Sequence, residues 1–189
     1  MADPALNRAS VPATYDDLCR MPGHLVAEIL DGDLYTHPRP APRPAVAFSN
    51  LTGELVGPFS KGRGGPGGWW IIGEPEVHLS GQVLVPDLAG WRRHRMPTLP
   101  DTAWFDLVPD CVCEILSPST ARTDRIVKMR IYAEQGIAHL WLLDPALQTL
   151  EVYGLADARW VLLSSHAGEE QVQAPPFEAV VIDLSGLWA

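Results

Sequence analysis

Two carboxylates occupy positions where the sequence pattern favours apolar side chains. Asp87 and Glu114 both fall in segments that the sequence predicts to be β-strands, and side chains alternate between the two faces of a strand. This alternation places Asp87 on the same face as Val85, and Glu114 on the same face as Val112 and Leu116. A buried ionised carboxylate is costly unless it is paired, hydrogen-bonded or bound to a metal ion. Both acids therefore need a partner.

Lys128 lies on the helix that is predicted to follow Glu114. Its simplest interpretation is an ion pair with Asp124, one helical turn earlier, which would contribute a few tenths of a kcal/mol. Each acid taken alone also has a structural interpretation, as a helix cap or as the partner of an arginine. The two acids together with the lysine favour a functional site.

The elements that must position these residues belong to a mixed α/β fold. Alternating or continuous apolar runs predict strands over 25–30, 69–72, 76–79, 83–88, 111–116, 138–143, 150–153 and 160–163. Helices are predicted to begin at Thr14 and to cover 45–59 and 120–135, with Gly136 as a left-handed cap on the last one. The Asp31-Gly32 pair predicts a tight hairpin, and the four prolines within 37–44 predict an extended loop.

Length and composition predict one domain. The 189 residues contain 47% apolar and 20% charged side chains, which excludes an intrinsically disordered chain. Neither an internal repeat nor a linker interrupts the pattern, so 1–189 are expected to form a single domain with a core of about 25–155. The three cysteines are too few and too unevenly spaced for a disulfide framework, and buried free thiols are expected.

Several sequence blocks resemble the Uma-two family of restriction endonuclease-like proteins, which belongs to the PD-(D/E)XK nuclease superfamily. The similar blocks are Val85-Pro-Asp87, Glu114-Ile-Leu-Ser-Pro-Ser-Thr120, Leu140-Trp-Leu-Leu-Asp-Pro145 and, in the opening hairpin, Glu28-Ile-Leu-Asp-Gly-Asp-Leu34. The similarity extends over about residues 25–153. It implies a restriction-endonuclease-like central mixed sheet flanked by helices, and a site for a divalent metal ion.

The resemblance also assigns roles to individual residues. Asp87 and Glu114 match the two acids that hold Mg²⁺ or Mn²⁺, which prefer oxygen ligands. Lys128 stands in for the catalytic lysine of the superfamily motif, because the usual position for that lysine is Leu116 here. A bound divalent ion neutralises phosphate charge and lowers the pKa of a coordinated water, and a nearby lysine stabilises the charge that develops.

Three further positions qualify this assignment. Glu28 matches an upstream acid that is common at such sites, and Tyr132 is a supporting residue of the same pattern. Pro44 stands where relatives usually carry a histidine after the proline-rich loop. A contribution from that histidine would be missing in this chain.

The charge distribution limits where a nucleic acid could bind. The chain has 14 basic and 23 acidic side chains and a net charge of −9, which disfavours binding to a polyanion. Only residues 92–130 carry a basic excess, with seven basic and five acidic side chains. The nucleic-acid candidates in that segment are therefore Arg92, Arg93, Arg122 and Arg125. Their alternative interpretation is as ordinary surface charges.

The predicted function is that of an Mg²⁺- or Mn²⁺-dependent endonuclease acting on DNA. The alternative is a nuclease-fold protein that no longer cleaves and serves as a binding or assembly module, which the acidic charge and Pro44 favour. A metal-dependent phosphohydrolase of small nucleotides is a third possibility. No apolar run approaches the roughly 18 residues of a membrane span, and 1–10 contain no apolar signal segment, so a cytoplasmic protein is expected. A homodimer is expected only by analogy with the superfamily.

Overall fold

The computed structural model describes residues 11–188, so the segment 1–10 considered above lies outside the described residues. The strands are, in chain order, β1 (Leu25–Leu30), β2 (Asp33–Pro38), β3 (Trp69–Gly73), β4 (Val77–Leu79), β5 (Gln82–Leu84), β6 (Leu88–Arg92), β7 (Cys111–Ile115), β8 (His139–Asp144), β9 (Thr149–Ala156), β10 (Arg159–Ala167), β11 (Gln171–Val172) and β12 (Ile182–Asp183). The helices are α1 (Tyr15–Cys19), α2 (Pro42–Leu55), α3 (Ala121–Thr123) and α4 (Met129–Glu134). Single π-helical turns cover Val56–Ser60 and Asp124–Lys128, and a 3₁₀ turn covers Leu184–Leu187.

The strands form one large sheet, one smaller sheet and a two-stranded antiparallel pair of β11 and β12. The large sheet has the order β10-β9-β8-β7-β6-β3, in which β7 and β8 are parallel and all other neighbours are antiparallel. The smaller sheet has the order β2-β1-β5-β4 and is antiparallel throughout. The predicted mixed α/β class with a central mixed sheet is therefore confirmed, whereas the separate smaller sheet was not predicted.

The predicted single strand over 83–88 is wrong, and the difference determines where Asp87 lies. Strand β5 ends at Leu84 in the smaller sheet, and β6 begins at Leu88 in the large sheet. Pro86 has no N–H group to donate to a sheet, which suits a crossing between sheets. Asp87 thus lies at the junction between the two sheets and not on a regular strand face.

The helix predicted over 120–135 consists of three consecutive parts. Helix α3, the π-helical turn Asp124–Lys128 and α4 follow one another without a break. Gly136 then adopts a φ of +76°, as expected of a left-handed C-terminal cap. Helix α2 begins three residues earlier than predicted, because a helix tolerates proline in its first turn.

Apolar side chains fill both faces of the large sheet. On one face, Cys111, Cys113 and Ile115 of β7 pack with α2 and the C-terminal segment. On the other face, Val112 and Leu142 pack against the helix that covers this face. The prediction of buried thiols holds for Cys111 and Cys113 but is wrong for Cys19, which is exposed at the end of α1. In residues 11–188, no helix is long and apolar enough to cross a membrane.

Candidate active site

Asp87 and Glu114 meet at the junction between the two sheets. Glu114 is buried in the middle of the large sheet, with a relative exposure of 2%. The backbone N–H of Ile115 donates to Asp87 Oδ2 over 2.7 Å, and the backbone N–H of Asp87 lies 3.4 Å from Glu114 Oε2. These reciprocal contacts hold the two carboxylates side by side at the edge of one cavity.

Lys128 extends from the π-helical turn towards the junction between the two sheets and is itself buried. Its Nζ lies 2.8 Å from Glu114 Oε1, 3.1 Å from Glu28 Oε1 and 3.9 Å from Asp124 Oδ1. The ion pair with Asp124, which was the simplest interpretation of the sequence, is therefore the longest of the three. The main partners of Lys128 come from distant parts of the chain.

Glu28 and Tyr132 complete the surroundings of the ion pairs. Glu28 comes from β1 in the smaller sheet, and its Oε1 also accepts a hydrogen bond from the backbone N–H of Val85 over 2.7 Å. Tyr132 is buried on α4, and its hydroxyl donates a short hydrogen bond to Glu114 Oε1. Lys128 and Tyr132 thus fix the same oxygen of Glu114, while the other oxygen faces Asp87.

Burial and mutual repulsion shift the protonation equilibria of these groups. Desolvation, with the negative charge of Glu114 next, raises the pKa of Asp87 well above its usual range. Desolvation and Glu114 also raise the pKa of Asp124 to about 7. Burial disfavours the charged amine of Lys128, but Glu114 and Glu28 outweigh it and raise the pKa of that amine. The enclosed site brings together four carboxyl groups, from Glu28, Asp87, Glu114 and Asp124, and the single amine of Lys128.

The cavity above these residues has a volume of about 240 Å³. Asp87, Glu114, Asp124 and Lys128 line its interior. The proline-rich segment 37–41 lies on one side, and the segment 117–120 lies on the other with three hydroxyl groups. Those hydroxyl groups contact one another, with Ser117 Oγ 2.9 Å from Ser119 Oγ and 3.0 Å from Thr120 Oγ1. The proline-rich segment also contributes the polar side chains of His37 and Arg39, so polar and apolar groups both border the cavity.

Comparison with known proteins identifies the family. The Uma2 (Uma-two) family model, described as "putative restriction endonuclease", matches residues 12–185. The chain belongs to this family. The crystal structure of a "putative nuclease belonging to DUF820 from Anabaena variabilis ATCC 29413" is similar in fold, with a TM-score of 0.74 and 21% sequence identity over 93% of this chain and 97% of that chain. A comparison with curated proteins finds no match.

The Uma2 chain contains two cavity residues that sequence reasoning did not assign to the site. Asp124 was considered only as a surface partner of Lys128, yet it is buried and lines the cavity. His37 was assigned no role, but its Nε2 lies 3.9 Å from Glu28 Oε2 and its ring lines the cavity. The proline-rich loop that follows His37 was the sequence feature that could have pointed to this residue. Pro44 lies in the cavity wall as well.

The arginines predicted to contact nucleic acid are not gathered at the cavity. Arg92 and Arg93 lie at the opposite end of β6 from Asp87, with their guanidinium groups 4.3 Å from the Trp69 ring centre and 3.7 Å from that of Trp70, respectively. Arg93 also donates to the backbone carbonyls of Trp69 and Ser60. These contacts give Arg93 a structural role.

The other two arginines lie on the helix next to the site. Arg125 is half-buried and forms a 2.7 Å ion pair with Glu151 of β9. Arg122 is exposed on α3, immediately after the hydroxyl-rich segment that borders the cavity. Trp91, next to Arg92 in the sequence, is fully buried, and its Nε1 donates to the Leu107 carbonyl over 2.8 Å. Its ring is therefore not available to stack on a base.

The donor set suits a hard divalent ion. Mg²⁺ is commonly held by one or two carboxylates and several waters, and Asp87 and Glu114 supply two carboxylates beside a cavity that can hold water. Burial, with the negative charge of Glu114 next, raises the pKa of Asp87, and a cation beside the two carboxylates would offset both effects. Among residues 11–188, no cluster of three or more His, Cys, Asp and Glu side chains has the geometry of a preformed ion site.

Proposed function

We propose that this Uma2 protein is a metal-dependent endonuclease that hydrolyses phosphodiester bonds in DNA. The observation that carries the proposal is the meeting of Asp87 and Glu114 beside Lys128 at one cavity. The family and the fold support nuclease chemistry in general. The metal requirement rests on the chemistry of the residues at the cavity, and the choice of DNA as substrate rests on the family's description as a restriction endonuclease.

In this proposal Asp87 and Glu114 hold Mg²⁺ or Mn²⁺. The bound ion would neutralise charge on the scissile phosphate and lower the pKa of an attacking water. Lys128 remains protonated between Glu114 and Glu28 and adds a fixed positive charge near the reacting phosphate. Tyr132 and the backbone N–H of Ile115 hold the two carboxylates in place. Positioning of this kind lowers the cost of reorganisation during the reaction.

The proposal is tested by plasmid cleavage with Mg²⁺, with Mn²⁺ and with a chelator. Wild type is expected to cleave only with a metal ion, and Asp87→Ala and Glu114→Ala are expected to be inactive although folded. Glu151→Ala is the matched control, because Glu151 is a carboxylate of the same sheet that pairs with Arg125 outside the cavity lining. Equal activity of wild type and Glu114→Ala, or cleavage that persists with the chelator, would contradict the proposal.

Metal binding can be measured separately from cleavage. Calorimetric titration of wild type with Mn²⁺ is expected to show a binding event that Asp87→Ala lacks. Each ion that binds the folded state also raises the melting temperature, because it stabilises that state by mass action. Indistinguishable titrations of the two proteins would remove the basis for a metal-dependent reaction.

An inactive nuclease-fold module is the second candidate. The observation that favours it is that Lys128 already compensates Glu114 and Glu28 without a metal ion. The net charge of −9 points the same way, because it opposes DNA binding. A protein that neither cleaves nor binds Mn²⁺ would be such a module. Cleavage of small nucleotides with little dependence on salt would instead identify a phosphohydrolase.

A further inference from the structure

Strand β10 forms one edge of the large sheet. It is nine residues long and pairs with β9, and in the part of the chain that the structure describes it pairs with no other strand. The outer side of an edge strand presents backbone N–H and C=O groups that can pair with another chain. Soluble proteins usually protect such edges with lysines, acidic residues, prolines or a short strand length.

The middle of β10 lacks charged protection and exposes apolar side chains. Val161, Leu162 and Leu163 have relative exposures of 46%, 52% and 48%. Of the residue types Lys, Arg, Asp and Glu, the strand contains only Arg159, at its first position. A bulge between Leu162 and Ser164 is the remaining feature that opposes edge pairing.

The exposed apolar side chains occupy both faces of the sheet. Val161 is paired with Gly154, and Leu163 lies over the same glycine, where an added Cβ would be 3.0 Å from Leu163 Cδ1. Leu162 is paired with Tyr153, whose ring packs towards the helix-covered face. An apolar strand that is exposed on both faces and along its edge is best covered by extension of the sheet.

We propose that β10 pairs antiparallel with β10 of a second copy of this chain, so that the two large sheets become one continuous sheet. A two-fold axis between Leu162 and Leu163 places these apolar residues of one copy against the same residues of the other. Antiparallel pairing of identical strands closes after two copies, which is the isologous arrangement of a C₂ dimer.

Charge complementarity favours a second copy as the occupant. In the antiparallel arrangement, the basic end of each strand at Arg159 lies opposite the other copy's end at His166. His166 Nδ1 lies 3.1 Å from Glu170 Oε2, so a carboxylate accompanies that end. Each pairing therefore brings one guanidinium group near one carboxylate at both ends of the interface.

The expected dimer is weak and depends on concentration. Nine residues of strand span about 30 Å, and the bulge reduces the number of backbone hydrogen bonds that can form. An interface of this kind falls at the small end of specific interfaces, below about 1,200 Å² in total. The apolar side chains at the axis should therefore supply most of the affinity.

Sedimentation velocity across micromolar to submillimolar concentrations tests the proposal. Wild type is expected to shift from monomer to dimer as the concentration rises, and Leu162→Lys is expected to weaken the dimer by at least about tenfold, because an inserted lysine blocks edge pairing. Leu147→Lys is the matched control, since Leu147 is 70% exposed and lies in the turn before β9. It should associate as wild type does.

Arg159→Glu provides a second variant that leaves the apolar residues intact. It is expected to weaken the dimer through repulsion by the carboxylate at the opposite end, while circular dichroism shows an unchanged fold. A wild type that remains monomeric at every concentration would overturn the proposal. A dimer that survives both Leu162→Lys and Arg159→Glu would also overturn it. Neither result depends on whether the protein cleaves DNA.

Discussion

Strand β7 is equally buried on both faces, but its two faces carry different chemistry. Cys111, Cys113 and Ile115 belong to an apolar cluster that includes α2. Val112 and Glu114 face the other side, where Glu114 reaches the charged groups at the sheet junction. The side chains on both faces are buried, so burial alone does not distinguish the two faces.

The difference teaches that the charged face is a compromise between stability and function. A buried ion pair seldom stabilises a protein more than a well-packed apolar replacement would. The Glu114 side nevertheless collects Glu28 from β1, and Asp124 and Lys128 from the π-helical turn. Packing alone accounts for the residues on the apolar face. The residues on the charged face are those expected of a functional site.

The largest effect is expected from Glu114→Gln, which keeps the shape of the side chain but weakens its metal ligation. Under the proposed function, plasmid cleavage should fall by about 10²–10³-fold or more. Cys113→Ala, the adjacent residue on the apolar face, should lower stability without changing cleavage per folded molecule. Comparable losses of cleavage in both variants would show that the two faces do not differ in function.

Lys128→Met is expected to give the largest loss of stability on the charged face. Glu114 and Glu28 would then remain buried without their cation, which costs about 3–5 kcal/mol in known cases. Urea unfolding measures this loss. Exchange of all three residues, in Lys128→Met with Glu28→Gln and Glu114→Gln, should recover much of it. A loss below about 1 kcal/mol in the single variant would mean that water reaches the acids.

Tyr132→Phe removes the hydroxyl donor to Glu114 but keeps the ring. Loss of a hydrogen bond to a charged group is expected to lower the free energy of unfolding by about 1.5–3 kcal/mol. Tyr153→Phe is the control, because the Tyr153 hydroxyl bonds to the half-buried Glu151 over 3.2 Å. Chemical denaturation of both variants should show the larger loss for Tyr132. Equal losses would contradict a special role for the Glu114 contact.

Asp124→Asn should stabilise the metal-free protein, and only at neutral to alkaline pH. The folded-state pKa of Asp124 is raised to about 7, so the folded state keeps a proton that the unfolded state releases above about pH 4. This group therefore lowers stability as the pH rises between these values. A rise of the pKa from its usual value to about 7 corresponds to about 4 kcal/mol, so the variant should gain up to about 4 kcal/mol near pH 8 relative to its effect near pH 4. An identical gain near pH 4 in thermal unfolding would contradict the assignment.

The smallest effects are expected from the arginines. Arg122→Ala should weaken DNA binding and reduce its salt slope by about 1, because an exposed phosphate contact is lost. Arg93→Ala should instead lower stability by about 1 kcal/mol through loss of stacking on Trp70. Binding measured at several salt concentrations, with thermal melting of both variants, separates the two roles. A flattened salt slope in Arg93→Ala would contradict the structural assignment.

The sequence predicted those parts of the fold that depend on local pattern. The Asp31-Gly32 hairpin, the helix with its Gly136 cap and the face of Glu114 all follow from side-chain periodicity or from turn chemistry. The meeting of Asp87, Glu114 and Lys128 was expected from the family resemblance together with two acids in apolar strands.

The remaining features depend on long-range contacts that periodicity does not report. The segment 83–88 has strand character throughout, but only its pairing with two different sheets shows the break at Pro86. Trp91 lies between glycine and arginine in the sequence, and its burial comes from stacking on Phe105. In the sequence, Asp124 has the pattern of a surface residue. Its burial depends on the π-helical turn and on neighbours that are distant along the chain, and local periodicity reports neither of them.

The contact of Lys128 with Glu28 has a consequence for folding kinetics. It joins the first strand of the smaller sheet to a helix that lies between β7 and β8 of the large sheet, so a long loop must close before it forms. Contacts of such high sequence separation tend to form late. A nascent chain would expose no finished site until both sheets are in place, and the completed protein is the first species able to act.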